Sequence, residues 1–161
     1  MDDRIADAVE HAAVLRLQAG YADAVTRRAW HEVAGLFAPG AAITIDLRAS
    51  PPIELQGGEA IADMIAGACE RFAFFELTML NAVAHLDPGL RSAHGRIFQC
   101  EVRQDSATQT FTQAYGVYRD EYARIGDDWR FARRRYSSLA RTAADPAAPG
   151  LELFPMPSWE R

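Results

Sequence analysis

Apolar positions recur about every four residues at the start of the chain and every two residues towards its end, and that change of period predicts helices first and strands last. Ile5, Val9, Ala13 and Leu17, continued by Tyr21 and Ala24, predict a long amphipathic helix with its stripe towards a sheet. Trp30, Val33 and Phe37 predict a second, shorter helix. It ends at Pro39-Gly40, because proline lacks an amide hydrogen and glycine accepts left-handed geometry. Ile43, Ile45 and Leu47 then alternate with Thr44 and Asp46 as a half-buried strand, interrupted at Ser50-Pro51-Pro52. After Gly57-Gly58, the spacing of Ile61, Ile65, Ala68 and Phe72 predicts a third helix packing one face inward.

From about Leu77 onward the pattern reads as strand. Asp87-Pro88-Gly89 marks a turn. In the long strand after it, His94, Arg96, Phe98, Cys100 and Val102 share one face, and Ala93, Gly95, Ile97, Gln99 and Glu101 share the other. Ser106-Ala107 marks the next reversal. Strands around Phe111–Tyr122 and Trp129–Leu139, joined at Gly126-Asp127-Asp128, form a long antiparallel hairpin rich in aromatic and β-branched residues. Helices grouped before strands imply an α+β fold with an antiparallel sheet. Residues 1–142 make one domain, and 143–161 an Ala/Pro-rich tail that wraps the surface, with Leu151, Leu153, Phe154 and Trp159 against the body or a neighbouring subunit.

Composition narrows the classes of function. A chain of 161 residues, 49% of them hydrophobic, suits one ordinary domain and needs no second core. Its apolar stretches fall short of the ~18 residues of a membrane span. Met1-Asp2-Asp3-Arg4 lacks a basic region leading into an apolar one, so the expectation is a soluble, cytoplasmic protein. Cys69 and Cys100 have neither zinc spacing nor a disulfide framework and read as buried thiols of a reducing compartment. The net charge of -5 opposes a nucleic-acid partner. Arg133-Arg134-Arg135, the one basic cluster, is split between two faces by strand alternation.

Several short motifs fall in a telling order: Tyr21-Ala22-Asp23-Ala24 before Arg27-Arg28-Ala29-Trp30, then Phe37-Ala38-Pro39, then Gly57-Gly58-Glu59-Ala60-Ile61. Tyr118-Arg119-Asp120-Glu121-Tyr122 follows, running through to Trp129-Arg130-Phe131. Over roughly residues 5–141 this order resembles the SnoaL-like branch of the nuclear transport factor 2-like superfamily, which includes scytalone dehydratase and hexachlorocyclohexane dehydrochlorinase. The resemblance implies a cone: a strongly curved sheet wrapped around three N-terminal helices, with a pocket in its open end. It further implies a small apolar ligand, no metal or organic cofactor, and self-association as a homodimer or homotrimer through the outer sheet face.

Dehydratase-like members of that family pair an aspartate late in the first helix with a histidine at the start of the strand after the third. Counting back from Trp30 puts Thr26 at the aspartate position, and counting back from Asn81 puts Leu77 at the histidine position. Neither accepts a proton at neutral pH, so that elimination engine does not carry over. His94 is a candidate base beside the pocket wall, or else it points outward or satisfies a backbone carbonyl. Tyr21 and Tyr115 can offer a phenol to a ligand carbonyl, or bury the ring and leave the hydroxyl at a rim. Arg134, where the resemblance to the dehydrochlorinase implies a basic residue, is an anion contact or the partner of a helix carboxylate such as Asp23. Thr26, Trp30, Leu77, Met79 and Asn81 complete the expected ligand lining. Asp46, on the strand that carries the catalytic carboxylate of ketosteroid isomerases, is expected to face away from the pocket. Three readings of function follow. One is a cofactor-free lyase, isomerase or cyclase on a small cyclic or aromatic substrate; the others are a binding protein without chemistry and an interaction or scaffold subunit.

Overall fold

On a helix of 3.6 residues per turn, an every-four stripe slips by about 40° per repeat, so Ile5 and Tyr21 stand roughly 160° apart around the axis. The computed structural model, which describes residues 3–144 and 150–158, resolves the ambiguity in favour of the second half of the stripe. In α1 (Asp3–Thr26) the buried side is Val14, Leu17, Gln18, Tyr21, Ala24 and Val25, whereas Ile5 and Val9 are exposed. The N-terminal half of α1 is held by Glu10, which accepts from Trp129 Nε1 at 2.7 Å and pairs with Arg124 at 2.6 Å.

The second helix, α2 (Trp30–Gly35), is shorter than expected. Phe37 already belongs to β1 (Phe37–Asp46), where it pairs with Phe131, and Pro39-Gly40 lies in an irregular stretch of that strand rather than ending a helix. Burying Phe37 in the sheet outweighs the weak helical periodicity of three residues. A four-residue strand, β2 (Ile53–Gln56), unanticipated because it follows two prolines, pairs antiparallel with β1. Helix α3 (Gly58–Cys69) begins where α2 crosses it: a Cβ at Gly58 would collide with the Ala34 carbonyl, so only glycine permits this approach. Phe72 lies beyond α3, as the first residue of β3 (Phe72–Leu86).

Three further long strands, β4 (Ser92–Asp105), β5 (Phe111–Ile125) and β6 (Asp128–Thr142), follow as antiparallel neighbours. The sheet order is β2-β1-β6-β5-β4-β3, and β1 lies parallel to β6, so the sheet is mixed and does not close into a barrel. The three helices fill its concave side, giving the α+β cone. Beyond the end of β1, a short β7 (Leu151–Leu153) takes over the same edge of β6, opposite Ala140–Thr142. Leu151 and Leu153 remain exposed. The segment after them crosses the convex face, where Phe154 N donates to Leu139 O, Arg48 to Pro155 O and Arg119 to Ser158 O. Trp159 lies outside the described residues. Among the described residues no helix is long and apolar enough to cross a membrane.

Candidate functional site

Strand alternation decides which side chains enter the cone. On β4, Ala93, Gly95, Ile97 and Gln99 point inward and are buried, and Glu101 continues that face to the mouth. On β5 and β6 the inward series includes Tyr118 and Asp120, opposite Tyr136 and Arg134. A Cβ at Gly116 would run into the Tyr136 ring, so the absent side chain lets that ring lie across β5.

Between the sheet and α3 lies a half-open cavity of about 200 Å³. Its helix side is apolar, formed by Ile61, Met64, Ile65 and Ala68 of α3, with Ile43 and Ile45 of β1 and Leu47 just past the end of that strand. Phe72, Phe75 and Leu77 of β3 close one flank, and Tyr21 and Val25 of α1 another. The sheet wall is polar, with Glu101 and Arg103 of β4, Tyr118 of β5, and Arg134 and Tyr136 of β6. A molecule with an apolar body and one polar edge matches this division.

Two ion pairs stand along that wall. Arg134 is 1% exposed; its Nε and Nη2 donate to Asp120 at 2.9 and 2.8 Å, and Asp120 also accepts from the Tyr122 hydroxyl at 3.1 Å. Tyr122 in turn accepts from Gln18 Nε2, tying α1 to the pair. The guanidinium lies 3.9–4.1 Å from the ring centres of Tyr21, Tyr118 and Phe131, in cation–π geometry. Burial pushes its pKa down, but the charge and hydrogen bonds of Asp120, together with Tyr21 and Tyr118, outweigh that push and hold it above the ordinary arginine value. Glu101 is different. Its carboxylate meets Arg103 Nη1 at only 3.5 Å and both side chains keep 22% exposure. Burial pushes the Glu101 carboxyl above the usual range, and Arg103 works against that rise. Arg103 also lies 5.5 Å over the Phe72 ring. Burial raises the hydroxyls of Tyr21, Tyr118 and Tyr136, which keeps all three protonated donors at neutral pH, and pushes the Cys69 thiol up to about 11.

Of the nine residues named from sequence, Tyr21, Leu77 and Arg134 reach the cavity. Arg134 pairs with Asp120 rather than Asp23, which is exposed and bound by Arg27 at 2.7 Å. Thr26 is used structurally, its Oγ1 accepting the Leu77 N–H at 3.0 Å. His94 lies on the outward face of β4, stacked on His85 with ring centres 5.2 Å apart and its Nδ1 3.6 Å from Asp87. Tyr115 is outward too, opposite Cys100, with its hydroxyl donating to Gln113 at 3.4 Å. Trp30 and Met79 pack against the core without lining the cavity. Asn81 is exposed: an irregularity in pairing between Met79 and Asn81 reverses the alternation on which its inward placement depended. Asp46 does face away and pairs with Arg48. Glu101, Arg103, Tyr118 and Tyr136 were not picked out beforehand. The available signal was Glu101 itself, an ionisable residue at the end of an inward run of small and apolar side chains.

A family model described as a SnoaL-like domain matches residues 6–135. Among solved structures, a protein assigned as a scytalone dehydratase from Novosphingobium aromaticivorans is similar with a TM-score of 0.75 at 18% identity, over 89% of this chain and 93% of its own. LinA is similar with a TM-score of 0.74 at 19% identity, over 96% of this chain and 97% of its own. A type 2 LinA hexachlorocyclohexane dehydrochlorinase gives 0.73 at 19% identity, over 91% and 96%. At these identities the likeness is one of fold. A comparison with the curated proteins finds no match.

Proposed function

The chain belongs to the SnoaL-like domain family, and from that premise we propose that it binds one small, largely apolar ring molecule in the cavity and acts on it as a cofactor-independent lyase or isomerase. The observation that carries this reading is the division of the cavity into an apolar helix wall and a polar sheet wall. An apolar space of about 150 Å³ takes a benzene-sized ring, so about 200 Å³ open at one end suits a single substituted ring or a compact bicycle. The tyrosine hydroxyls of the sheet wall then meet a carbonyl, hydroxyl or halogen on its edge. Dehydratase and dehydrochlorinase, the activities named for structurally similar proteins, are eliminations on rings. Here the same class of chemistry needs another base, since Thr26 and Leu77 occupy the positions of the expected pair.

Thermal unfolding against phenols, monoterpenoids and halogenated rings, with sterols as an oversized control, tests the reading. Ligand at about a hundred times its dissociation constant adds ~2.7 kcal/mol, or about 5–10 °C in midpoint for a chain of this size. A shift with one class of ring supports the reading, and silence across the panel overturns it in favour of an interaction subunit. One observation favours a second reading, binding without turnover: Thr26 and Leu77 are joined by a hydrogen bond in place of a proton-transferring pair. Turnover of the ring that gives the shift separates the two.

A further inference from the structure

We propose that Glu101 is the proton-transferring base of the cavity. This rests on the small-ring reading above. Among the described residues that line the cavity, Glu101 supplies the single carboxylate, and it stands on the polar wall facing the apolar space where a ring would lie. The other inward carboxylate, Asp120, already accepts three hydrogen bonds from Arg134 and Tyr122 and is sealed from the cavity. Glu101 is left loose. At 3.5 Å the Arg103 contact is longer than the 2.7–2.9 Å of a strong charge-assisted bond, so the carboxylate keeps lone pairs free for a proton.

The groups facing Glu101 suit the step. From α3 comes Cys69, whose thiol stays protonated at neutral pH. From β5 and β6 come Tyr118 and Tyr136, both un-ionised there. The cross-strand neighbour on β3 is the untitratable Leu77. Of the two cations among the described residues lining the cavity, Arg103 pairs with the Glu101 carboxylate and Arg134 is held by Asp120, while Cys100, the preceding residue, points to the opposite face. The Tyr136 hydroxyl accepts from Gln99 Nε2 at 3.2 Å, which orients it to donate to a ligand oxygen.

In the reaction a Glu101 oxygen takes a proton from an acidified ring carbon. The electron pair of the broken C–H bond becomes the new double bond. In an elimination, the adjacent leaving group departs with the electrons of its own bond, and Glu101 later loses its proton to solvent beside the partly exposed Arg103. In an isomerisation, the double bond already in the ring shifts, and its electron pair takes the proton back from Glu101 at a different carbon as the new C–H bond. Neither route needs an external oxidant or reductant.

The test uses 5-nitrobenzisoxazole, a compact apolar bicycle whose reaction reports a general base. Removal of its C3 proton forms the nitrile as the N–O bond breaks, and oxygen leaves with the bond pair as a coloured phenolate. Binding is read separately by thermal shift with the same compound. The wild-type protein is expected to bind it and accelerate its opening, with an acid limb in kcat/KM above the ordinary carboxylate range. Glu101→Gln is expected to keep the thermal shift and lose at least about a hundredfold in kcat. Arg103→Met, which removes the charge favouring the carboxylate, is expected to move the acid limb to higher pH, and it serves as the test should Glu101→Gln fail to fold. Turnover retained in Glu101→Gln, an acid limb unmoved in Arg103→Met, or a wild-type protein that binds the probe without opening it would each overturn the role of Glu101. A wild-type protein that does not bind the probe overturns the small-ring reading beneath it.

Discussion

Arg134–Asp120 and Arg103–Glu101 are the same chemical pair placed on neighbouring strands of one wall, and they are put to opposite uses. The first is sealed, bidentate, shared with Tyr122 and packed against three rings; the second is single, 3.5 Å long and open to the cavity. Burial alone does not make an ion pair functional. A pair whose carboxylate is taken up by three donors and whose guanidinium is clamped through two nitrogens holds elements together, here α1, β5 and β6, whereas a loosely matched pair leaves a charged group free to act.

The largest expected effect comes from breaking the sealed pair. Asp120→Ala strands a buried guanidinium and is expected to cost about 3–5 kcal/mol, a large share of the stability of a single domain. Replacing both partners, as Asp120→Leu with Arg134→Met, is expected to recover much of that loss. Urea unfolding of the three proteins checks the order, and a single-variant loss below about 1 kcal/mol would mean that the pair is not the tie described.

The open pair is expected to respond with the opposite sign. The folded-state pKa of Glu101 is raised, so ionising it costs folded-state stability; the cost is absent below the unfolded carboxylate pKa and grows as pH rises towards and through the folded value. Glu101→Gln removes that cost. Its melting temperature is expected to exceed that of the wild type at pH 7 and to converge with it below about pH 4. Melting curves from pH 3 to 8 measure the difference, and a variant less stable at pH 7 would sink the claim that the carboxylate is held at a cost.

The smallest effect is expected outside the wall. Thr26→Val deletes the acceptor for the Leu77 amide and is expected to cost about 1 kcal/mol, with faster hydrogen exchange at that amide. Unchanged protection at Leu77 would show that the bond contributes nothing to the junction of α1 and β3.

The long elements were legible from periodicity, and the order of helices before strands was enough for the α+β class. The two faces of β4 were legible as sets, with His94 on one and Glu101 on the other, but which set turns inward was not. What failed was local. The i,i+4 stripe of α1 drifts around the helix and cannot say which half is buried, so Ile5 and Val9 were misassigned. Phe37 and Phe72, at junctions between helix and strand, fit either period and go to the sheet because burial there is greater. One irregularity after Met79 turned Asn81 outward, although the residues on either side were read in a single alternation.

By itself, the sequence determined the kind and order of the long elements, because these follow from local spacing and residue type, and its ordered motifs carried the resemblance to the family that the domain match bears out. Only the tertiary structure decided which charges are engaged and which are free. That distinction depends on partners distant in sequence, such as Gln18 meeting Tyr122 and Tyr21 stacking under Arg134, and on distances of an ångström or less. It separates a structural arginine pair from a carboxylate poised at a cavity.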